Sequence, residues 1–118
     1  MATPAEVEAR LIALSKEYDG AYSDLIDADQ AYLVKKAQLE IAMARSRMTY
    51  AGMSSPTGKN YTVGERDDKS LLDNAEAHIE MAYAEASVKA SKENAKRIQL
   101  QVDIARSVAA LLRSEMSN

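Results

Sequence analysis

The sequence predicts an all-α fold: a long helical hairpin with a short N-terminal helix, assembled as a homo-oligomeric helical bundle or ring. Among 118 residues there are only four Gly and two Pro, and hydrophobic residues make up 47%. Apolar side chains recur at spacings of three and four, which is the period of an amphipathic helix. Four of these six helix-breaking residues lie in a single stretch. We therefore expect one helical domain over residues 1–118, with a loop at about residues 52–66 between its two long helices.

The first predicted helix begins at a capping sequence. Thr3 is a suitable cap, Pro4 suits the first helical position, and Glu6 can return the hydrogen bond of a capping box. An apolar stripe follows at Val7, Leu11, Leu14 and Tyr18. Gly20 is the expected end of this short helix, because glycine readily adopts the left-handed conformation that terminates helices.

A second, longer helix is predicted from about residue 23 to residue 51. Its main apolar stripe comprises Ile26, Leu33, Ala37, Ile41, Ala44, Met48 and Ala51. A flanking stripe comprises Leu25, Tyr32, Leu39, Met43 and Tyr50. The segment that follows, from Gly52 to Gly64, holds three of the four glycines and one of the two prolines. This composition predicts a loop.

The last predicted helix begins near Asp67 and Asp68, whose charges suit a helix N-terminus, and continues to about Glu115. Its thin apolar stripe comprises Met81, Ala84, Val88, Ser91, Ala95, Ile98, Val102, Ala105, Ala109, Leu112 and Met116. A helix of this length extends about 70 Å, more than a compact domain of this size covers. Part of the stripe is therefore expected to pack on other copies of the chain. The expected interface comprises Ile98, Val102, Ala105, Ala109 and Leu112.

Composition argues against an enzyme. The chain has no Cys and a single His, which excludes a cysteine nucleophile and a Cys/His zinc site within one chain. The segment from Gly52 to Lys59 and Asn60 resembles a phosphate-binding loop, but its glycines are too far apart and Asn60 replaces the required Ser or Thr. His78 fits a surface or packing role better than a ligand or a base. We expect no catalytic residue, no cofactor and no metal.

The N-terminal residues lack the basic and apolar regions of a signal peptide, and no stretch is long and apolar enough to span a membrane. We therefore expect a soluble protein of the cytoplasm, without a membrane partner.

The net charge of −3 conceals two basic segments. Residues 35–69 carry seven basic and four acidic side chains, and residues 89–106 carry five and two. The first segment also contains tyrosines, and the combination suits single-stranded DNA, whose phosphates attract cations and whose bases stack on aromatic rings. The expected DNA-binding residues are Lys35, Lys36, Arg45, Arg47, Lys59, Tyr61 and Arg66. A solvated helix face with pairs such as Lys36 with Glu40 stays open as an alternative.

Residues 36–52 resemble the middle of UvsY, the T-even phage recombination mediator family. The matching features are Ala37-Gln38, the apolar run Ile41-Ala42-Met43, the basic Arg45 and Arg47, and Tyr50-Ala51-Gly52 before a polar loop. After the loop, Asp67-Asp68-Lys69-Ser70-Leu71-Leu72 resembles the start of the family's C-terminal helix. The similarity covers about residues 25–105.

The resemblance implies a helical phage protein that forms a ring-like homo-oligomer, binds single-stranded DNA, and helps a RecA-like recombinase replace the single-strand-binding protein. In that family the basic residues before the hairpin loop contact DNA, which here points to Arg45 and Arg47, with Lys35 and Lys36 next. Two other classes stay open. One is a helical structural or assembly phage protein, such as a scaffold or chaperone, and the other is a secreted helical hairpin with a Trp-x-Gly turn, in which Tyr50 would replace the Trp.

Overall fold

The computed structural model describes residues 3–117, and over these residues the chain is all-helical, as the sequence predicts. The helices are α1 (Pro4–Ala51), α2 (Val63–Asp73) and α3 (Ala75–Ser117). The described residues fall into two compact units. Among these residues, unit 1 comprises residues 3–28 and 88–117, and unit 2 comprises residues 29–87. No helix in the described part of the chain is both long and apolar enough to cross a membrane.

The start of α1 forms as its sequence predicts. The Glu6 backbone N–H donates to the Thr3 hydroxyl at 3.2 Å, and the Thr3 backbone N–H donates to the Glu6 carboxylate at 3.3 Å. Pro4 is the first helical residue, where its missing N–H costs nothing. The predicted capping box is therefore confirmed.

The predicted end of the first helix at Gly20 is wrong. Helix α1 continues through Gly20 for 48 residues, so there is no separate short N-terminal helix. A glycine inside a helix costs only about 1 kcal/mol relative to alanine. The flanking residues offset this cost, because Tyr18 and Ala21 pack on the core of unit 1 and hold their turn of the helix in place.

The core of unit 1 joins the first part of α1 to the last part of α3. Its buried residues are Leu14, Ala21, Ala95, Ile98 and Val102, with Leu11, Tyr18 and Ala105 packed against them. The two segments run antiparallel: Pro4 lines a cleft with Leu112, whereas Tyr22 lines one with Lys92. Within unit 1 the segments thus form a hairpin-like pair.

The seam expected between copies lies inside this core. Ile98, Val102 and Ala109 are buried within the chain, and Ala105 and Leu112 are half-buried. The chain's own α1 therefore covers the surface that we assigned to an interface. The sequence could not show that a continuous α1 is long enough to cover this stripe, and packing between copies stays a prediction.

In unit 2 the flanking stripe of α1 is the buried one. Leu39 and Met43 are buried, whereas the main-stripe residues Leu33, Ile41 and Met48 are exposed. Ile26, Ala37, Ala44 and Ala51 of that stripe are exposed as well. The two stripes are neighbours on one helix, and adjacent positions differ by about 100° around its axis. Asn74, between α2 and α3, and His78 on α3 both contact the Met43 sulfur. The flanking stripe is therefore the one that faces the rest of unit 2.

The loop and α2 also differ from the prediction. Helix α2 begins at Val63, because Thr62 and Glu65 form a second capping box that ends the loop four residues earlier than expected. The predicted uninterrupted last helix is broken at Asn74, which caps α2 before α3 starts at Ala75. In the loop, Ser54 and Asn60 form an isolated antiparallel bridge. Gly58 adopts a φ of 81°, which a glycine tolerates without strain.

Candidate nucleic-acid interface

Two of the expected DNA-binding cations are engaged within unit 2. The Lys35 ammonium lies 3.4 Å from a carboxylate oxygen of Glu80, and the Arg47 guanidinium lies 2.8 Å from that of Asp67. All four side chains keep between 42% and 66% of their surface exposed. Such exposed pairs contribute about 0–1 kcal/mol each. A phosphate could therefore replace either carboxylate at little cost.

Three other expected cations are unpaired. Lys36 and Arg45 on α1 and Lys59 in the loop are exposed, and their side chains have no partner among the described residues. The loop that carries Lys59 is held by its backbone: the Ser55 N–H donates to the Lys59 carbonyl at 2.7 Å. These side chains are available to an anionic ligand without breaking any contact.

The tyrosines of the basic segment are not available for stacking. Tyr61 is only 8% exposed, and its ring meets Tyr50 edge-to-face at 5.6 Å between centroids. The Lys69 ammonium lies 5.5 Å from the Tyr61 ring and 6.0 Å from the Tyr50 ring, at cation–π distance. The Tyr50 hydroxyl donates to Asp73. These rings join α1 to α2, so the expected stacking role of Tyr61 is not compatible with its position.

The hydrogen bond from Tyr50 to Asp73 also changes the acidity of the phenol. It raises the pKa of Tyr50 above the usual value of 10.0, because the carboxylate stabilises the protonated phenol, with desolvation and the Asp73 charge adding to the effect. Arg66 has a similar structural role: its guanidinium donates to the Tyr61 carbonyl at 3.2 Å. Arg66 is half-buried, so it holds the start of α2 rather than facing a ligand.

His78 is half-buried in unit 2. Its Nε2 is 3.4 Å from the Met43 sulfur, and the Asn74 amide donates to the Ser46 hydroxyl at 3.0 Å nearby. A groove of about 280 Å³ passes this site, with Met81 on its wall. The contact fits the packing role that the sequence predicts for His78. Within residues 3–117, no group of three His, Cys, Asp or Glu side chains is placed to hold a metal ion.

Unit 1 contains a site that sequence reasoning missed. An open groove of about 360 Å³ separates an aromatic pair on α1 from a basic strip on α3. The rings of Tyr18 and Tyr22 stack with centroids 6.3 Å apart and planes inclined by 21°. Lys92 and Lys96 line the opposite wall. The groove thus combines an exposed aromatic ring with exposed cations, whereas the rings of Tyr50 and Tyr61 in unit 2 are engaged within the fold.

The sequence shows both the tyrosine pair and the lysine pair of this groove. Tyr18 and Tyr22 are four residues apart, so they share a helix face, and Lys92 and Lys96 belong to the second basic segment. What the sequence lacks is their proximity. Predicting it would require knowing that α1 continues past Gly20, because a helix that ended there would separate the two tyrosines.

Comparisons with family models, with curated proteins and with solved structures find no match to this chain.

Proposed function

We propose that this chain binds single-stranded DNA as a homo-oligomer and serves as a recombination mediator, helping to load a RecA-like recombinase. One observation carries the DNA-binding part: Lys36, Arg45 and Lys59 are exposed and unpaired on a segment with seven basic and four acidic side chains. Contacts of such cations with phosphates supply most of the sequence-independent affinity for nucleic acid.

The mediator role has a separate basis. It comes from the resemblance of residues 36–52 to the UvsY family, in which basic residues before and around the hairpin contact DNA, with Arg45 and Arg47 as the best matches here. The pairing of Arg47 with Asp67 agrees with a surface that exchanges an internal carboxylate for a phosphate when DNA binds. A mediator must also bind DNA that already carries a single-strand-binding protein, and this property can be tested by co-sedimentation with coated DNA.

The exposed apolar residues of unit 2 support the oligomer. Leu33, Ile41 and Met48 follow one another on α1 at spacings of eight and seven residues, and the last two lie within the basic segment. Residues 70–88 carry four acidic and no basic side chains, and Ile79 and Tyr83 are exposed there. A second copy that placed its acidic segment on this face would cover the apolar residues and match their flanking charges. Such a contact is heterologous, and it closes into a ring if the rotation permits.

A titration of a fluorescently labelled oligonucleotide, followed by anisotropy at low and moderate salt, tests DNA binding. We expect affinity to fall steeply with salt, with a slope of about 0.7 per phosphate contact for a single strand. The double variant Lys36→Ala, Arg45→Ala should weaken binding to all sequences alike. It should also reduce the salt slope by the amount that corresponds to one to two phosphate contacts.

The matched control is the double variant Arg10→Ala, Lys16→Ala, which removes the same charge from α1 within unit 1. Arg10 already faces Glu17 at 3.8 Å, and both control residues are exposed. The control should retain nearly the wild-type affinity. Absence of binding by the wild-type protein at low salt would remove the proposal, and an equal loss in both double variants would reduce it to an effect of net charge.

A helical structural or assembly protein is the second candidate. It is favoured by the exposure of Leu33, Ile41 and Met48, since a row of apolar side chains on one helix usually marks a protein contact. This candidate predicts self-association without salt-dependent DNA binding. The variant Ile41→Glu addresses both candidates: light scattering shows whether the oligomer is lost, and anisotropy at low salt shows whether DNA binding remains. Loss of the oligomer with unchanged DNA binding would separate the two properties.

A further inference from the structure

We propose that the groove between Tyr22 and Lys92 in unit 1 is a stacking subsite for one unpaired base of a single-stranded nucleic acid. The inference rests on the proposed DNA binding, and it adds a place where the base rather than the phosphate is held. It assigns this role to residues outside the segment that the sequence singles out.

The aromatic wall is suited to a base. Tyr22 is 50% exposed, whereas its stacking neighbour Tyr18 packs against the core residues of unit 1. Tyr18 therefore fixes the orientation of the Tyr22 ring, and the exposed part of that ring remains open to the groove. Ordering a base on a ring that is already held costs less conformational entropy than ordering both partners.

The opposite wall supplies the charge. Lys92 and Lys96 are exposed and lie four residues apart, so their positions are separated by about 6 Å along the helix. Lys92 has no side-chain partner among the described residues, and Lys96 makes only an exposed contact with Glu93 at 3.5 Å. Two cations one helical turn apart match the phosphates on either side of a single bound nucleotide.

The acid in the groove is partly engaged. Asp103 lines one end, where its carboxylate accepts a hydrogen bond from the Gln99 amide at 2.9 Å. The charged lining is therefore two lysines against one aspartate, whose carboxylate is hydrogen-bonded to a neutral amide. Phosphates are expected at the end that carries Lys92, away from Asp103.

The size and floor of the groove agree with a nucleotide. Its volume of about 360 Å³ falls within the range of about 300–1,000 Å³ that small-ligand sites occupy. Leu25 and Ala95 provide an apolar floor on which a planar base can lie. An acidic peptide would be attracted by the lysines as well, but the stacked tyrosine pair favours a flat aromatic ligand.

The test compares Tyr22→Leu, which removes the aromatic face but keeps an apolar side chain, with Tyr22→Phe, which keeps the face. Binding of an oligothymidine is measured by anisotropy, and binding of an abasic oligonucleotide of equal length is measured beside it. Tyr22→Leu should weaken binding to the oligothymidine about five- to a hundredfold, the effect of losing one stacked base. Tyr22→Phe should remain within about twofold of the wild type, and the abasic strand should not distinguish the variants.

The control variant is Ile12→Ala, since Ile12 is 60% exposed on α1 in unit 1 and lines no described groove. It should bind both strands like the wild type. If the wild type binds neither strand at low salt, the proposed function fails together with the subsite. If the wild type binds and Tyr22→Leu is unchanged, or if it loses the abasic strand equally, the subsite is overturned and the DNA-binding proposal stands. Capture of an acidic peptide with loss in Tyr22→Leu but no effect on DNA would likewise overturn it.

Discussion

In unit 1 the two helical segments meet through a cluster of apolar side chains around Leu14 and Ile98. Unit 2 also buries Leu39 and Met43, but polar side chains join its helices at several points. These contacts are Lys35 with Glu80, Arg47 with Asp67, Tyr50 with Asp73, and Asn74 with Ser46. A segment rich in basic residues therefore does not always form a basic surface, because some cations of unit 2 pair with carboxylates of the same unit.

Because an apolar cluster joins the helices of unit 1, a substitution in that core should have the largest effect on stability. Leu14 is only 1% exposed, so Leu14→Ala removes a fully buried side chain and should lower the free energy of unfolding by about 2–5 kcal/mol. Urea unfolding followed by circular dichroism measures this. The control Leu72→Ala, at an exposed position in unit 2, should change stability by less than about 0.5 kcal/mol. Similar losses in both variants would contradict the burial described for the two units.

A change in unit 2 should increase stability. Ser70 is fully buried on α2, and its hydroxyl has no hydrogen-bond partner within the described residues. Ser70→Ala removes an unsatisfied polar group and should raise the free energy of unfolding by about 1 kcal/mol. Ser87→Ala, at an exposed helix position, controls for the helix propensity of alanine, worth about 0.5 kcal/mol. A loss of stability in Ser70→Ala would show that the hydroxyl makes a useful bond.

The engaged cations of unit 2 predict a smaller effect on binding. Asp67→Asn should weaken the hold on Arg47 and increase DNA affinity at low salt up to about fivefold, since an exposed pair is worth at most about 1 kcal/mol. Asp68→Asn makes the same change of charge one residue away, at an exposed carboxylate without a described partner. Equal gains in both variants would mean that net charge alone, and not the release of Arg47, sets the affinity.

The smallest effect concerns the Tyr50 phenol. Because its folded-state pKa is raised, the protonated form contributes stability that is complete below about pH 10 and is lost as the pH rises through the raised pKa. In a spectroscopic titration of tyrosinate, one phenol should ionise above the ordinary range of tyrosine, and Tyr50→Phe should remove that step. In Asp73→Ala the step should return toward the ordinary range. A late step that persists in Asp73→Ala would contradict the assigned cause.

Local signals in the sequence predicted the helices well. The capping box at Thr3 and the loop after Ala51 involve residues close in sequence, so their chemistry could be read directly. Gly20 and Asn74 show the limit of such reading. Packing of Tyr18 and Ala21 keeps the helix going through a glycine, whereas hydrogen bonds of Asn74 interrupt a segment with an unbroken apolar pattern.

The candidate site was less predictable because it depends on contacts distant in sequence. The composition of residues 35–69 identified cations and tyrosines, but it could not show that Tyr61 is buried or that Arg47 faces Asp67, 20 residues away. The groove in unit 1 combines residues some 70 positions apart, and neither part is unusual alone. Charge counts therefore indicate where a ligand could be attracted, and only the fold shows which side chains are open to it.

Photochemical cross-linking tests the contrast between the two units most directly. An oligonucleotide with a photoreactive thymine analogue is bound to the full-length protein, irradiated, and the linked peptides are identified by mass spectrometry. Because the base is the reactive group, we expect cross-links to Tyr22 and to neighbouring residues of the groove in unit 1. These cross-links should be lost in Tyr22→Leu. Links confined to Tyr50 and Tyr61 of unit 2, with none at Tyr22, would contradict it.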